Sequence, residues 1–210
     1  MADGLILEAL RITRHGAPLV ALDRAIAPGE VLTVMGPSGV GKSTLLAAIT
    51  GTLAPGFRAE GRIWLDGQDI TRTPPHLRRV GILFQDDLLF PHLNVAENLA
   101  FGLRPGGTRP DRLSRIEAAL DEIGLPGYGP RDPATLSGGQ KARVALMRML
   151  LSEPCTLLLD EAFGGLDAAL RQQMRALVFD RARDRRLPVL MVTHDAEDAA
   201  AAGGEIVRLG

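Results

Sequence analysis

The fold is decided by one stretch, residues 31–50, which reads VLTVMGPSGVGKSTLLAAIT. Residues 31–35 form a short apolar run that predicts a buried strand, and an apolar helix is predicted from Lys42 onward. The loop between them, residues 36–43, matches the pattern G-x-x-x-x-G-K-[ST] in full. Its glycines let backbone amides point at a phosphate chain, and the helix start adds the positive end of its dipole. The stretch therefore predicts a nucleoside triphosphate site.

The predicted phosphate-binding residues are consecutive. They are Gly36, Pro37, Ser38, Gly39, Val40, Gly41, Lys42, Ser43 and Thr44. Lys42 would bring a point charge to the β- and γ-phosphates, and the Ser43 hydroxyl would be a ligand of Mg²⁺. The alternative is a glycine-rich turn that only resembles the motif. The strand before it and the helix after it argue against that alternative.

A second cluster follows another apolar run, residues 156–159, which ends in Asp160 and Glu161. At the carboxyl end of a central strand, such a pair faces the ligand crevice of an α/β sheet. Asp160 would hold Mg²⁺, and Glu161 would polarise an attacking water as general base. Two acids after an apolar run could also be a solvated strand end. Their pairing with Lys42 and Ser43 favours a catalytic site.

A third motif, residues 136–140, reads LSGGQ. Ser137 is predicted to cap a helix that runs to about Leu151, and Gly138 and Gly139 would expose backbone amides at its start. One nucleotide needs only one phosphate cradle in its own subunit. A second phosphate-binding helix start therefore indicates that two subunits share each nucleotide. An ordinary capped helix is the alternative.

The rest of the chain predicts an α/β fold with a mostly parallel sheet and an N-terminal antiparallel β subdomain. Residues 5–12 and 19–35 alternate apolar and polar side chains, and Asp66-Gly67 marks a hairpin over residues 61–71. Three short apolar runs have the length and character of buried parallel strands. They are residues 80–84, 156–159 and 189–192.

Residues 90–131 differ in character, because prolines and glycines surround one convincing helix over residues 112–123. This stretch lies between two predicted core strands. We therefore expect one domain over residues 1–210, with a helical subdomain inserted at about residues 88–152.

Composition excludes several classes of protein. Lys and Arg total 24 against 25 for Asp and Glu, a net charge of −1, which argues against a nucleic-acid-binding protein. A single cysteine, Cys155, excludes a disulfide framework and a multi-cysteine metal site. No apolar run approaches the roughly 18 residues of a membrane span, and the N-terminus lacks the pattern of a secretion signal. We expect a cytoplasmic protein that reaches a membrane only through a partner.

In their order along the chain, these motifs resemble those of the ATP-binding subunit of an ATP-binding cassette (ABC) transporter. The resemblance covers about residues 5–209. Its motifs are the phosphate loop at 36–43, Gln85 after a strand, LSGGQ at 136–140, the acidic strand end at 160–161, Gly-Leu-Asp at 165–167 and Thr193-His194-Asp195. The resemblance implies a P-loop NTPase core that hydrolyses ATP with Mg²⁺.

The resemblance also implies roles for individual residues. Gln85 would reach Mg²⁺ or the attacking water and begin a loop that senses the membrane partner. His194 would contact the γ-phosphate, and Asp167 would lie near a subunit seam. The implied catalytic residues are Lys42, Gln85, Glu161 and His194. The implied metal ligands are Ser43, Gln85 and Asp160, and the second nucleotide-binding group is Ser137, Gly138, Gly139 and Gln140.

Two departures from the family pattern stand out. Residues 11–16 contain no Phe, Tyr or Trp to stack on adenine, and His15 is the only flat side chain there. This predicts modest discrimination between ATP and GTP. Ala162 follows Glu161 where proline is usual, and Gly164-Gly165 replaces bulkier residues, which would loosen the backbone beside the catalytic acid.

Residues 84–98 resemble a segment of bacterial importers for molybdate, sulfate, polyamines, iron and thiamine. Leu88, Leu89 and Phe90 form an apolar run there, which would be part of a groove for a short helix of a membrane subunit or else local core. The implied partners are a second copy in a head-to-tail homodimer, integral-membrane permease subunits and, indirectly, an external solute-binding protein. The chain would be peripheral on the inner face of the cell membrane. Since it ends at Gly210, we expect no regulatory domain after the cassette.

Two other functions compete with an importer motor. A soluble cassette ATPase of DNA repair or the ribosome usually has a long coiled-coil insert or two cassettes in one chain, and this sequence has neither. A non-catalytic regulatory cassette would lack the lysine or the general base, whereas Lys42 and Glu161 are both present.

Overall fold

The computed structural model describes residues 3–86 and 88–210, which form two sheets and the helices around them. The strands are β1 (Leu5–Arg14), β2 (Ala17–Ile26), β3 (Val31–Met35), β4 (Phe57–Leu65), β5 (Gln68–Asp69), β6 (Val80–Phe84), β7 (Thr156–Asp160), β8 (Val189–Thr193) and β9 (Glu205–Arg208). The α-helices are α1 (Lys42–Thr50), α2 (Val95–Gly102), α3 (Arg109–Glu122), α4 (Gly138–Leu150), α5 (Ala168–Asp184) and α6 (Ala196–Ala202). Short 3₁₀ turns cover Pro75–Leu77 and Pro133–Thr135.

The five-stranded sheet has the order β6-β7-β8-β3-β9, and β3 pairs in parallel with both β8 and β9. β7 also pairs in parallel with β8. The three apolar runs predicted as buried strands are all strands of this sheet, and two of them extend by one polar residue, Asp160 and Thr193. Burial is confirmed for β7 and β8, whereas β6 is only half-buried and ends in the exposed Phe84. This sheet carries the phosphate loop after β3 and the acidic pair at the end of β7.

The four-stranded antiparallel sheet has the order β2-β1-β4-β5. The hairpin predicted at Asp66-Gly67 is confirmed, because β4 and β5 pair across it. The alternating stretch 19–35 contains two strands in different sheets, since β2 ends at Ile26 and β3 begins at Val31. The buried faces of β1, β2 and β4 share one hydrophobic core with α1 and the parallel sheet.

The chain forms two compact units. The core unit comprises the chain up to Ile82 together with Pro154–Glu161 and Phe179–Gly210. The helical unit comprises Leu83–Glu153 and Ala162–Val178. The subdomain expected over about residues 88–152 lies within the helical unit.

Reciprocal capping boxes start three helices of the helical unit, at Asn94 with Glu97, Thr108 with Asp111 and Ser137 with Gln140. The helix predicted from residue 112 begins earlier, at Arg109, because Thr108 caps it and the proline that follows fits the first helical turn. Among the described residues, no helix is both long and apolar enough to cross a bilayer.

Candidate nucleotide site

The phosphate loop joins β3 to α1 within the core unit, and its glycines are required by its shape. Gly39 and Gly41 have φ values of 83° and 106°, which residues with a Cβ rarely adopt. A Cβ at Gly41 would lie 2.6 Å from Cγ2 of Val20, so only glycine lets the loop pack against β2. A Cβ at Gly39 would meet nothing within 4 Å, which leaves open space beside the loop.

Lys42 is held inside this loop. Its side chain is only 6% exposed, and Nζ donates to the carbonyls of Gly36 at 2.8 Å and Pro37 at 3.1 Å. Nζ also lies 3.6 Å from Oε1 of Glu161. A buried ammonium group at a helix N-terminus gives the loop the charge that a phosphate chain needs.

Ser43 and Asp160 form a second pair, with Oγ of Ser43 donating to Oδ1 of Asp160 at 3.2 Å. The pKa of Asp160 is raised above its ordinary value. Burial is the largest cause and the neighbouring Glu161 charge adds to it, whereas the Ser43 hydrogen bond and the Lys42 charge act in the opposite direction. A hydroxyl and a carboxylate are the hard oxygen ligands that Mg²⁺ prefers. Within the described ranges, no group of three or more His, Cys, Asp and Glu side chains is placed to hold a metal ion.

Glu161 directly follows β7 and has an unusual backbone conformation. Its φ of 48° places a non-glycine residue in the left-handed region, which costs on the order of 1 kcal/mol. Its N–H donates to the carbonyl of Val192 at 3.0 Å, which anchors this conformation on β8. Its carboxylate lies between Lys42 and His194, whose Nδ1 is 3.1 Å from Oε2. The predicted catalytic residues of the core unit therefore converge on one carboxylate.

The LSGGQ segment starts α4 in the helical unit. The Ser137 hydroxyl accepts from Gln140 N–H at 3.3 Å, and Gln140 Oε1 accepts from Ser137 N–H at 3.0 Å. Gln140 Nε2 also donates to the Tyr128 hydroxyl at 3.4 Å. The Gln140 side chain is thus used to fix the cap. The N–H groups of Gly138 and Gly139 lie in the first helical turn, where amides point away from the helix.

An open cavity of about 630 Å³ lies beside this helix start, between Ser137–Gln140 and the Gly165–Asp167 turn. Leu170 of α5 packs under Gly139, because a Cβ there would lie 2.6 Å from Cδ1 of Leu170. Asp167 accepts from the Leu170 N–H at 3.0 Å and so caps α5. The two segments that resemble family motifs in the helical unit are therefore neighbours.

Gln85 is exposed at the end of β6, also in the helical unit. Its Nε2 lies 3.9 Å from the position of a Cβ at Gly165, so it adjoins the segment that follows the acidic pair. The predicted segment 84–98 includes Asp87, which lies outside the described residues.

The core unit brings together Lys42, Ser43, Asp160, Glu161 and His194, and the helical unit brings together the LSGGQ helix start and Asp167. Two contacts were missed from the sequence: the Glu161–His194 pair and the Tyr128 support of Gln140. The first had a signal, because each residue lies two positions after the end of a predicted buried strand. The signal became a contact only once β7 and β8 were neighbours in the sheet.

Comparison with known proteins decides the family of this site. Residues 19–164, more than half of the chain, match the family model described as ABC transporter. The chain belongs to the ABC transporter family. It is an ABC ATPase, and its nucleotide is ATP.

Relatives agree over most of the length of the ABC ATPase. It is 46% identical over 183 residues to the uncharacterized ABC transporter ATP-binding protein YnjD of Escherichia coli K12, covering 87% of this chain and 84% of the relative. It is 49% identical over 197 residues to the thiamine import ATP-binding protein ThiQ of Cereibacter sphaeroides, covering 93% and 83% respectively.

A solved structure is similar across the whole ABC ATPase. The structure of cbiO1 from Clostridium perfringens, described as part of the ABC transporter complex cbiONQ, matches with a TM-score of 0.85 and 28% identity. The match covers 100% of this chain and 85% of that one. The α/β cassette fold expected from the sequence is thereby confirmed.

Proposed function

We propose that this ABC ATPase is the motor subunit of an importer, in which two copies close around two ATP molecules with Mg²⁺. Hydrolysis would drive solute uptake through separate integral-membrane permease subunits, which would hold this chain on the inner face of the cell membrane. The observation that carries the proposal is the convergence of Lys42, Glu161 and His194, with Ser43 and Asp160 beside them. A carboxylate flanked by a lysine and a histidine beside a phosphate loop suits hydrolysis of a phosphoanhydride.

Each residue has a chemical task in this proposal. Lys42 neutralises charge on the β- and γ-phosphate oxygens. Glu161 accepts a proton from water as that water attacks the γ-phosphorus, while the bond from the γ-phosphorus to the bridging oxygen breaks and ADP leaves. His194, already in contact with Glu161, donates to a γ-phosphate oxygen. Ser43, Asp160 and Gln85 would hold Mg²⁺, which neutralises developing negative charge on the phosphates when bound.

The LSGGQ helix start of the helical unit favours the proposal of a dimer. Its LSGGQ start offers amides and a positive helix dipole but carries no acidic residue in its first turn. We propose that Ser137, Gly138, Gly139 and the Gln140 backbone receive the γ-phosphate of ATP held by the other subunit. A two-fold arrangement satisfies both sites at once and closes without open polymerisation.

The membrane partner would dock on the helical unit. Phe101 is 70% exposed and Leu88 is 55% exposed, and the Phe90 ring contacts that of Phe101. We call Leu88, Phe90 and Phe101 the apolar patch. Exposed aromatic groups of this kind suit the apolar face of a short permease helix. The import function of the relative ThiQ supports this assignment, and a solute-binding protein would act through the permease.

The base of ATP would lie at the β1–β2 turn. Leu19 and Val20 pack against Gly41, and His15 lies at the tip of the same hairpin. Leu19 lies four positions after His15, and four extended residues span at most about 13 Å, which suits the distance from phosphates to base. His15 is exposed, and its ring is seated against Gly56. We propose it as a modest platform for the base.

Sedimentation tests the shared site. Glu161→Gln should be monomeric alone and dimeric with ATP and Mg²⁺, because it binds ATP without consuming it. Glu161→Gln carrying Ser137→Arg should remain monomeric, since arginine fills the space intended for phosphate. A monomer of the first protein at high micromolar concentration with ATP, or an equal dimer of the second, contradicts the proposal.

A further inference from the structure

The helices α2 and α4 of the helical unit pack against each other, and their backbones come very close where Gly102 faces Arg148. A Cβ at Gly102 would overlap the carbonyl group of Arg148, so the backbones meet there without a side chain between them. Such a close approach fixes the crossing of two helices more firmly than flexible side chains do. A shift of α4 along its length must therefore displace α2.

The Arg148 side chain also contacts Phe90 and Asn98. Its guanidinium carbon lies 5.0 Å from the centre of the Phe90 ring, and Nη1 donates to Oδ1 of Asn98 at 3.4 Å. A planar guanidinium can stack on a ring and hydrogen-bond at its edge together, which lysine cannot do. Arg148 is thus joined to both α2 and the segment before it.

The Asn98 side chain in turn hydrogen-bonds to the backbone of Phe90. Asn98 is fully buried; its Oδ1 accepts from Phe90 N–H at 2.8 Å, and its Nδ2 donates to the Phe90 carbonyl at 3.1 Å. Nδ2 also donates to the carbonyls of Leu93 and Asn94, both at 3.0 Å. Both backbone polar groups of Phe90 and its ring are therefore held by Asn98 and Arg148.

Phe90 in turn supports the exposed part of the apolar patch. The rings of Phe90 and Phe101 meet edge to face, with centroids 4.6 Å apart. Phe101 is 70% exposed, and the Phe90 ring is a direct contact of its ring on the side that faces the protein. The position of the patch is set by how Phe90 is held.

The same helix begins at the LSGGQ segment. From Gly138 to Arg148, α4 spans about 15 Å as a continuous rod. We propose that Arg148 is a positioning residue that transmits the state of the Ser137–Gln140 helix start to the apolar patch through Phe90 and Asn98. The inference rests on the proposed function, since it takes the helix start as the part that meets ATP.

Hydrogen exchange followed by mass spectrometry tests this coupling in the whole chain. The parent is Glu161→Gln, measured with and without ATP and Mg²⁺, and two segments are compared, residues 136–143 and 88–101. In the parent, ATP should slow exchange in both segments. Arg148→Met, which keeps the aliphatic stem, should reduce the ATP effect on 88–101 by about fivefold and leave that on 136–143 unchanged.

Two further variants separate transmission from folding. Phe90→Leu keeps an apolar side chain but removes the ring, and it should also weaken the ATP effect on residues 88–101. Arg115→Met is the matched control, because Arg115 is an exposed arginine of the same unit that forms an ion pair with the exposed Glu153. It should change neither segment's response.

The outcomes distinguish the two proposals. If ATP slows exchange in neither segment of the parent, the shared site and the coupling both fail. If it slows 136–143 but not 88–101, only the coupling fails. The coupling also fails if Arg148→Met and Phe90→Leu keep the full response of residues 88–101. Equal loss in both segments of Arg148→Met would show that the arginine only supports folding, and would overturn its positioning role.

Discussion

Two helix starts are suited to phosphate in this ABC ATPase, and they are built in opposite ways. At the start of α1 the cap position is Gly41, no side chain caps the helix, and the buried Lys42 follows with Glu161 in contact. At the start of α4 a reciprocal box of Ser137 and Gln140 closes the cap with neutral groups. The first start holds charges that can take part in a reaction. The second offers amides on a fixed support, which suits binding without chemistry.

The comparison predicts that the largest effect falls on the α1 side. Glu161→Gln should lower ATP hydrolysis by about a thousandfold, because the amide cannot accept the proton from water. Binding of ATP should persist, since Lys42 remains. An assay of phosphate release measures the rate of hydrolysis, and equilibrium titration measures the affinity for ATP.

Glu205→Gln is the matched control, because Glu205 is an exposed carboxylate of the core unit whose ion pair is with Arg24. It should hydrolyse ATP at the parent rate. Full turnover by Glu161→Gln would mean that another group is the base.

Lys42→Ala should come next in size. Loss of a hydrogen-bonded charge to phosphate should weaken ATP binding by about 10- to 100-fold, which corresponds to roughly 1.4–2.7 kcal/mol. Titration calorimetry measures the change, with the exposed Arg58→Ala as a control. An unchanged affinity would show that the loop amides alone hold the phosphates.

On the α4 side, two adjacent glycines provide a paired test. Gly139→Ala should lower the free energy of unfolding by about 1–3 kcal/mol, because its Cβ would lie 2.6 Å from Leu170 Cδ1. Gly138→Ala should be neutral or slightly stabilising, since a Cβ there meets nothing within 4 Å and alanine favours a helix. Urea denaturation of both variants measures the difference. Equal stabilities would show that Leu170 moves aside without cost.

The smallest effect should be at the base platform. With His15 in place of a larger aromatic ring, ATP should be preferred over GTP only modestly, and His15→Trp should tighten ATP binding by about 1 kcal/mol. Competition binding measures both. A thousandfold preference for ATP, about 4 kcal/mol, would reveal a base contact elsewhere in the protein.

Much of the core unit could be predicted because its signals are local. The run 80–84 is a strand with the expected bounds, and the hairpin at Asp66-Gly67 forms as expected.

In the helical unit, the beginning of α3 was missed by three residues, because its cap lies at Thr108 and the apolar pattern begins only within the helix. Capping depends on one side chain and one backbone group, which periodicity does not detect.

The tertiary structure also revealed Arg78, whose side chain is buried. Its guanidinium donates to carbonyls at the end of α1, Ala48 at 3.0 Å and Ile49 at 2.8 Å, and to those of Thr71 and Thr73. Burial lowers the pKa of Arg78. From the sequence, a charged residue in a polar segment is expected at the surface. The burial of Arg78 is favourable only because the folded chain places these carbonyl acceptors around its guanidinium group.

The sequence by itself determined the phosphate loop and the chemistry that each motif could perform, because strand, glycines, lysine and helix are contiguous and their conformations are local. The tertiary structure alone decided which of those groups meet. Glu161 and His194 lie 33 positions apart, and they touch because β7 and β8 are adjacent, with Asp160 opposite Val192. Strand order depends on long-range packing of the sheet, and no local pattern in the chain encodes it.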